Sequence, residues 1–349
     1  MNETVWFAED GATNLVINYR CLRTVYSGRS AFARIDIVDT AEYGRMLFLD
    51  GIAQSAEQDE FIYHESLVHP AMLLHPNPRS VCIIGGAEGA TIREVAKYQD
   101  VSRIVMVDID GELVKICKQH LGSWSNGAYE DPRLQLHIGD GRKFLEQTEE
   151  PFDVIMVDID GELVKICKQH LSSWSNGAYE DPRLQLHIGD GRKFLEQTEE
   201  NFDVIMVDLN DPTEDSPAIY LFTREFYQLI YRRLGKEGIG CFQGTELQPN
   251  KLKLHARIYN TISSVFPRVI SYPYMLPSFH CMHSFILASK GKEPRFSDLG
   301  ERLRKQRFKL AYLTPPLLQT LFHMPAYVEQ AYGQNQEIIT DVKPTLYTT

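Results

Sequence analysis

The sequence predicts an α/β protein: a doubly wound parallel sheet, with a small β domain ahead of it and a tandem duplication inside it. Three observations carry this. From about residue 80 onward, short apolar runs alternate with amphipathic stretches, the order that builds parallel sheets. Between Ala31 and Ser55, apolar and polar residues alternate around the turn-like segment EYG at 42–44, as in a hairpin. Residues 107–156 and 157–206 are one 50-residue segment written twice, differing only at Gly122/Ser172 and Pro151/Asn201. Two near-identical copies are too alike for drifted solenoid repeats and too few for a stacked array. They read as a recent duplication within one domain.

The elements follow in order. Residues 1–60 form the N-terminal β-hairpin domain. Asp59 to Leu74 then carries Phe61, Ile62, Leu67, Val68 and Met72 at helical spacing, until HPNPR at 75–79 breaks the pattern. VCII (81–84) reads as a buried strand, GGAEGA (85–90) as a glycine turn and TIREVAKY (91–98) as a helix. RIVMVD (103–108) and ELVKICKQHL (112–121) repeat the strand–helix alternation. After the duplicated portion come the strand FDVIMVD (202–208), a helix lined by Phe222, Phe226, Leu229 and Ile230, and the strand GIGCFQ (238–243). A helix from Leu252 to Val265 and the strands RVISYPYM (268–275) and HSFILAS (283–289) complete a main domain over 61–300, with 301–349 as a C-terminal extension.

Composition narrows the class. With 43% apolar and 24% charged residues, the 349-residue chain can bury a full core. No apolar run approaches the roughly 20 residues that span a bilayer, and MNETVWFAED lacks the basic-then-apolar layout of a signal peptide, so the expectation is a cytoplasmic protein with no membrane partner. The six cysteines show no CxxC spacing and read as reduced, buried thiols. A net charge of −11 argues against nucleic acid as a partner and favours a cationic one. His280 and His283 stand at HxxH spacing without an evident third ligand, so no metal is expected. Trp124 and Trp174, duplicates in a polar stretch, read as a loop without a catalytic role.

GGAEGA follows a strand and opens a helix, which lets backbone approach a ligand and aims a helix N-terminus at it in the Rossmann-like manner. Alone it is equally compatible with a tight β–α turn. Asp108, at the end of the next strand and 20 residues past Glu88, is where a carboxylate accepts ribose hydroxyls, which points to a nucleoside. DLNDP (208–212) follows a buried strand on the ligand-binding side of such a sheet. Asp208 and Asp211, with Glu214 and Asp215 close by, could hold a polyamine by ion pairs, the bland alternative being an acidic surface turn.

With these residues in place the chain resembles the polyamine aminopropyltransferases, the spermidine, spermine and thermospermine synthases, over nearly its whole length. The matching blocks are LFLDGIAQSAEQDEFIYHESLVHP (47–70), IIGGAEGATIREV (83–95), VMVDID (105–110), EDPRLQLHIGDG (130–141 and again 180–191), FDVIMVDLNDP (202–212) and LFTREFY (221–227). The resemblance implies a methyltransferase-like sheet and transfer of an aminopropyl group from decarboxylated S-adenosylmethionine to putrescine or spermidine, with no cofactor beyond that co-substrate. It also implies a homodimer or homotetramer. Asp208 resembles the general base and Asp211 its partner carboxylate; Tyr63 and His64 match the amine pocket, and Glu88 the acid facing the aminopropyl end. Gln54, Gly85, Gly86 and Asp108 match the donor site. Asp140 and Gly141, or their copies Asp190 and Gly191, match the residues around the adenine, and Pro217 the proline flanking it.

Elementary chemistry explains the selection. A sulfonium makes its neighbouring methylene electrophilic, so displacement at carbon needs no redox partner. An alkyl ammonium with a pKa near that of lysine, about 10.4, is protonated at neutral pH, and freeing its lone pair costs roughly 4–5 kcal/mol. A carboxylate can take that proton when the amine is held in line with the methylene and stripped of water.

Departures from the family pattern are Ala33, where a donor-binding glutamine is usual after an aromatic residue (here Phe32), Ala87 and Ala90 in the turn, and MLPSFHCMHSF (275–285) without the tryptophans that often follow. One lost hydrogen bond at Ala33 amounts to about 1 kcal/mol. The duplication poses a further question, because such a sheet has one place between Asp108 and the strand bearing Asp208, and two units compete for it. The displaced unit is expected at a sheet edge, against another subunit or unstructured, and Asp158, in DIDG rather than DLNDP, is the weaker candidate base. Two other readings share many of these residues: a polyamine-binding homologue without turnover, and a methyltransferase using intact S-adenosylmethionine, which leaves DEFIYHE and DLNDP unexplained.

Overall fold

The computed structural model describes residues 5–9, 16–30, 33–84, 86, 88–108, 110–111, 113–125, 128–129, 131, 133–138, 154–158, 161–162, 202–208, 217–291 and 295–344. Strands β1 (Val5–Glu9), β2 (Ile17–Arg29), β3 (Arg34–Thr40), β4 (Gly44–Leu49) and β5 (Ile52–Ala56) form an antiparallel meander in sequence order. Its inward face buries Ile35, Ile37 and Leu47 against the main core. Tyr19, Val38, Met46 and Phe48 make a smaller cluster on the other face.

Helix α1 (Glu60–Leu74) leads into the second sheet, running between the strands and the helices around them. Burial on nearly every face explains why its apolar residues do not form a single stripe. The second sheet comprises β6 (Ser80–Ile84), β7 (Arg103–Asp108), β9 (Leu134–Ile138), β10 (Val154–Asp158), β12 (Phe202–Asp208), β13 (Leu234–Glu246), β14 (Arg268–Leu276) and β15 (Cys281–Ser289), in the order β14-β15-β13-β12-β10-β6-β7-β9. Pairings from β9 to β13 are parallel, whereas β15 runs antiparallel to both β13 and β14, so the sheet is mixed rather than purely parallel. Helices α2 (Ala90–Ala96), α3 (Leu113–His120), the short α4 (Gly122–Ser125), α5 (Arg224–Arg233) and α6 (Leu252–Ser263) connect and cover it.

The duplication resolves unlike the sequence expectation. The first copy supplies the end of β7, α3, α4, β9 and the start of β10, and α3 docks on the N-terminal sheet, where Arg45 donates to the His120 carbonyl and Tyr26 packs against the His120 ring. The strand β12 that ends the second copy is not expelled to an edge. It stands inside the sheet between β10 and β13, in register with its twin: Val154 faces Val204, and Asp158 faces Asp208. Apolar runs of the VIMV type are made for burial on both faces, so an extra copy is stable in a central place. Trp124 is a second correction: it lies on α4, 1% exposed, and its carbonyl accepts from Arg93.

Beyond the ends of β7 and β10, two further short strands, β8 (Asp110–Gly111) and β11 (Gly161–Glu162), pair in parallel with Gly161 opposite Asp110. The C-terminal segment folds back onto α1. Glu65 accepts from the backbone N–H groups of Ala311, Tyr312 and Leu313 at 2.7–2.9 Å, and Arg302 donates to the carbonyls of Leu73 and Leu74.

Candidate active site

The site begins at the glycine turn. Gly86 and Gly89 have φ of +81° and +80°, the left-handed region that favours glycine. A Cβ on Gly89 would also collide with the Tyr129 ring, so the packing of that side chain leaves no room for one there. The Gly89 N–H closes the turn on the Gly86 carbonyl, and α2 starts at Ala90.

Glu88 rises from this turn and meets α1. The His64 Nε2 lies 3.0 Å from the Glu88 Oε1, and its Nδ1 lies 2.9 Å from the Glu60 Oε2, one helical turn back. Burial pushes this imidazole down, but the hydrogen bonds and charges of Glu60 and Glu88 together outweigh it and raise it to about 10. His64 is therefore an imidazolium at neutral pH and a donor to both acids. Arg93, on α2, forks onto Glu60 at 2.7 and 2.9 Å and donates to Glu94 at 2.8 Å. Glu94 in turn pairs with His69, whose other ring nitrogen meets the Tyr98 hydroxyl at 2.8 Å. Burial opposes the ionisation of Glu60 and Glu94, but their cationic partners hold both below the usual carboxylate range. The alternating charges Glu88, His64, Glu60, Arg93 and Glu94 lock α1 to the glycine turn. Pairing of this kind makes buried charges tolerable.

An aromatic wall stands beside this chain. Tyr63 meets Tyr274 and Phe285 edge to face at 5.5 and 5.2 Å, and Tyr274 stacks on Phe285 at 4.7 Å. The segment Pro277–Phe279 is tied to the start of α1, because Asp59 accepts from the Ser278 N–H at 2.7 Å and from its hydroxyl at 2.9 Å. Desolvation raises the Asp59 carboxyl, while the Ser278 hydrogen bonds act against that.

The structure brings Tyr63, His64 and Glu88 together, and the sheet register orders the rest. Ile84, the last residue of β6, is level with Val107 on one side and Val157 on the other, and Asp108 and Asp158 each follow by one residue on the strands flanking β6. Asp208 is two strands away, opposite Asp158. Gln54 lies on β5, its amide donating to its own strand's Ile52 carbonyl at 3.2 Å. Pro217 opens the 3₁₀ turn Pro217–Leu221. Gly85, Asp140, Gly141, Asp190, Gly191 and Asp211 lie outside the described residues, although Asp140 follows the last residue of β9 by two positions. Ala33 is buried and its carbonyl accepts from the Ser30 N–H, and Phe32 is outside the described residues.

The HxxH pair divides. His280 sits at φ +55° and packs against the rings of Tyr19 and Tyr43, whereas His283 contacts the Cys281 sulfur at 3.1 Å and burial pushes it down to about 4. Among the described residues there is no group of three or more histidine, cysteine or acidic side chains that could hold a metal ion. Sequence reasoning missed Glu60, Arg93 and the Asp59–Ser278 tie. The four-residue spacing of Glu60 and His64 on one helix was the available signal for the first.

A glycine turn flanked by acids at the carboxyl ends of a doubly wound sheet defines a nucleoside-binding α/β enzyme. The comparisons make this specific. Residues 60–158 and 154–298 match the spermine/spermidine synthase domain, and residues 5–57 the spermidine synthase tetramerisation domain. The chain is 40% identical over 331 residues to polyamine aminopropyltransferase 2 of Pseudomonas aeruginosa, covering 93% of this chain and 80% of that one. It is 36% identical over 298 residues to the polyamine aminopropyltransferase of Aeropyrum pernix, covering 85% and 77%. The crystal structure of spermidine synthase from Thermotoga maritima superposes with a TM-score of 0.73 at 28% identity, covering 95% of this chain and 96% of that one. A spermidine synthase in complex with the transition-state analogue AdoDATO gives 0.74 at 28% identity, covering 95% of each chain. The chain belongs to the spermine/spermidine synthase family and is an enzyme of the polyamine aminopropyltransferase type.

Proposed function

We propose that this enzyme transfers the aminopropyl group of decarboxylated S-adenosylmethionine to putrescine or spermidine and releases methylthioadenosine. The observation that carries this reading is the seating of Glu88. A buried imidazolium, itself held by Glu60, fixes an acid beside the glycine turn, where the cationic end of the donor has to lie. Tyr63, backed by the buried Tyr274 and Phe285, offers the acceptor an apolar surface, which suits the methylene chain of a polyamine and keeps water from the attacking nitrogen. Asp108 is the ribose acid in this reading. By the family resemblance, Gln54, Gly85 and Gly86 belong to the donor site, Asp140 and Gly141 or their copies Asp190 and Gly191 to the adenine, and Pro217 to its flank. The proton of the attacking ammonium goes to an aspartate at the ends of the paired central strands. The resemblance of the DLNDP motif puts forward Asp208, with Asp211, and the sheet register puts forward its neighbour Asp158, so these two aspartates compete for the role.

We further propose that the N-terminal sheet assembles the protein into a homodimer or homotetramer in the cytoplasm. Val5, Trp6 and Leu22 are exposed on β1 and β2, within the residues that match the tetramerisation domain. Incubation with decarboxylated S-adenosylmethionine and each amine in turn, followed by identification of the products, tests the activity. Methylthioadenosine and an amine longer by one aminopropyl unit are expected. Polyamine binding without release would favour a homologue that has lost turnover, a reading prompted by the displacement of β12 from β6.

A further inference from the structure

We infer that the proton acceptor in this chain is Asp158, the last residue of β10 at the seam of the two copies, and that the duplication has moved Asp208 out of that role. The inference rests on the aminopropyl-transfer reading and asks only which residue of that site takes the proton. In a doubly wound sheet, ligands bind where successive connections leave in opposite directions, outside the carboxyl ends of the strands. Here the chain passes from β6 to β7 on one side, and the other neighbour of β6 is β10. The switch point therefore lies between β6 and β10, and Asp158 closes it.

Register gives the spacing. Val107, Ile84, Val157 and Val207 form one row across β7, β6, β10 and β12, and Asp108, Asp158 and Asp208 each follow their member of it by one residue. Strands lie about 4.8 Å apart, so Asp158 starts one spacing from the glycine turn and Asp208 starts roughly 10 Å away. A general base has to stand about 2.6–3.2 Å from the atom it deprotonates, so one strand spacing decides between two residues of the same type. The β8–β11 pair reinforces the choice. It joins the chain beyond Asp108 to the chain beyond Asp158, on either side of β6, and leaves Asp208 outside that bridge. Removing residues 157–206 joins Met156 to Val207 and rewrites the strand beside β6 as VIMVDLNDP, which returns Asp208 to the switch point.

In the step itself, the acceptor ammonium gives its proton to the Asp158 carboxylate. The freed lone pair forms a new C–N bond to the methylene, and the C–S bond breaks with its electrons going to sulfur as methylthioadenosine. The product leaves as a secondary ammonium that keeps the positive charge, and the protonated Asp158 returns to the carboxylate by releasing its proton to water.

The test measures methylthioadenosine release at saturating amine for the full chain, D158N, D208N, the chain lacking 157–206, and that shortened chain with D208N. Thermal melting and methylthioadenosine binding check each fold. In the full chain, D158N is expected to lower kcat by a factor on the order of 10²–10⁴ and D208N by less than about tenfold. In the shortened chain, D208N takes the loss on the order of 10²–10⁴. Should D158N unfold, Asp158→Glu keeps the charge but moves the carboxylate by one methylene, and a kcat drop of at least about tenfold is expected of a base. A D208N loss in the full chain as large as that of D158N would overturn the inference. So would a full chain without turnover beside an active shortened chain, a result that leaves aminopropyl transfer standing. Inactivity of both would remove the functional reading itself.

Discussion

The two flanks of the crevice differ in how they are specified. On the glycine-turn flank every group is unique in the sequence, and Glu88, His64, Glu60 and Arg93 interlock through hydrogen bonds of 2.7–3.0 Å. On the other flank the same strand is written twice, and β10 and β12 lie side by side in register. Their sequence is identical over VIMVD, yet β10 neighbours β6 and β12 neighbours β13. A strand's role in a site is thus set by its neighbours as much as by its residues. The unique flank has no spare part, whereas the duplicated flank has one.

That contrast can be broken first on the unique flank. Glu60→Gln leaves the His64 and Arg93 cations without their shared acid, and stability is expected to fall by about 3–5 kcal/mol in denaturant unfolding, with turnover falling as Glu88 loses its anchor. Gly89→Ala comes next: a left-handed φ costs about 1–3 kcal/mol for a non-glycine residue, to which the clash with Tyr129 adds. Circular dichroism melts would register both.

The pH dependence sharpens the comparison further, because its alkaline limb belongs to the unique flank. The folded pKa of His64 is raised to about 10, so its contribution to stability is complete below its ordinary value of 6.5 and is lost as pH rises through about 10. Burial lowers His255 and His283 to about 4, although the Gly244 carbonyl and Glu246 respectively act against it. Their contributions are complete above 6.5 and are lost as pH falls through about 4. A melting temperature that is highest near neutrality and declines on both sides is expected, and His64→Gln should flatten the alkaline limb alone.

The smallest effect is expected on the duplicated flank. Removal of residues 157–206 deletes one strand of a redundant pair, and the melting temperature should stay the same or rise. A shortened chain that fails to fold would show that both copies are integral.

Much of the frame was legible because burial writes itself into residue pattern. RIVMVD, FDVIMVD and the helix beginning at Glu60 emerge where apolar runs and helical spacing placed them. The direction of β15 was not legible, since HSFILAS reads the same whether its strand runs parallel or antiparallel. The helix lined by Phe226, Leu229 and Ile230 stops at Arg233, because pairing of Leu234 with Phe202 draws the chain into the sheet at once. In the site, Tyr63, His64 and Glu88 were reached through the family resemblance and stand together. Glu60 and Arg93 were not singled out, because a charged residue on an amphipathic helix reads as solvent-facing until its partner is seen. The place of β12 was hidden for a different reason. Two identical strands carry no local information about which of them adjoins β6, and only the packed sheet orders them.

The central claim, that the first copy's strand holds the place beside the glycine turn, is tested most directly by cross-linking. Ile84 and Val157 are register partners on adjacent strands, whereas Val207 is one strand farther from Ile84. A disulfide needs Cα atoms about 4.4–6.8 Å apart, which suits one strand spacing and excludes two. Under oxidation, with peptide mapping by mass spectrometry, the pair Ile84→Cys and Val157→Cys is expected to cross-link and the pair Ile84→Cys and Val207→Cys is not. The reverse pattern would contradict the account.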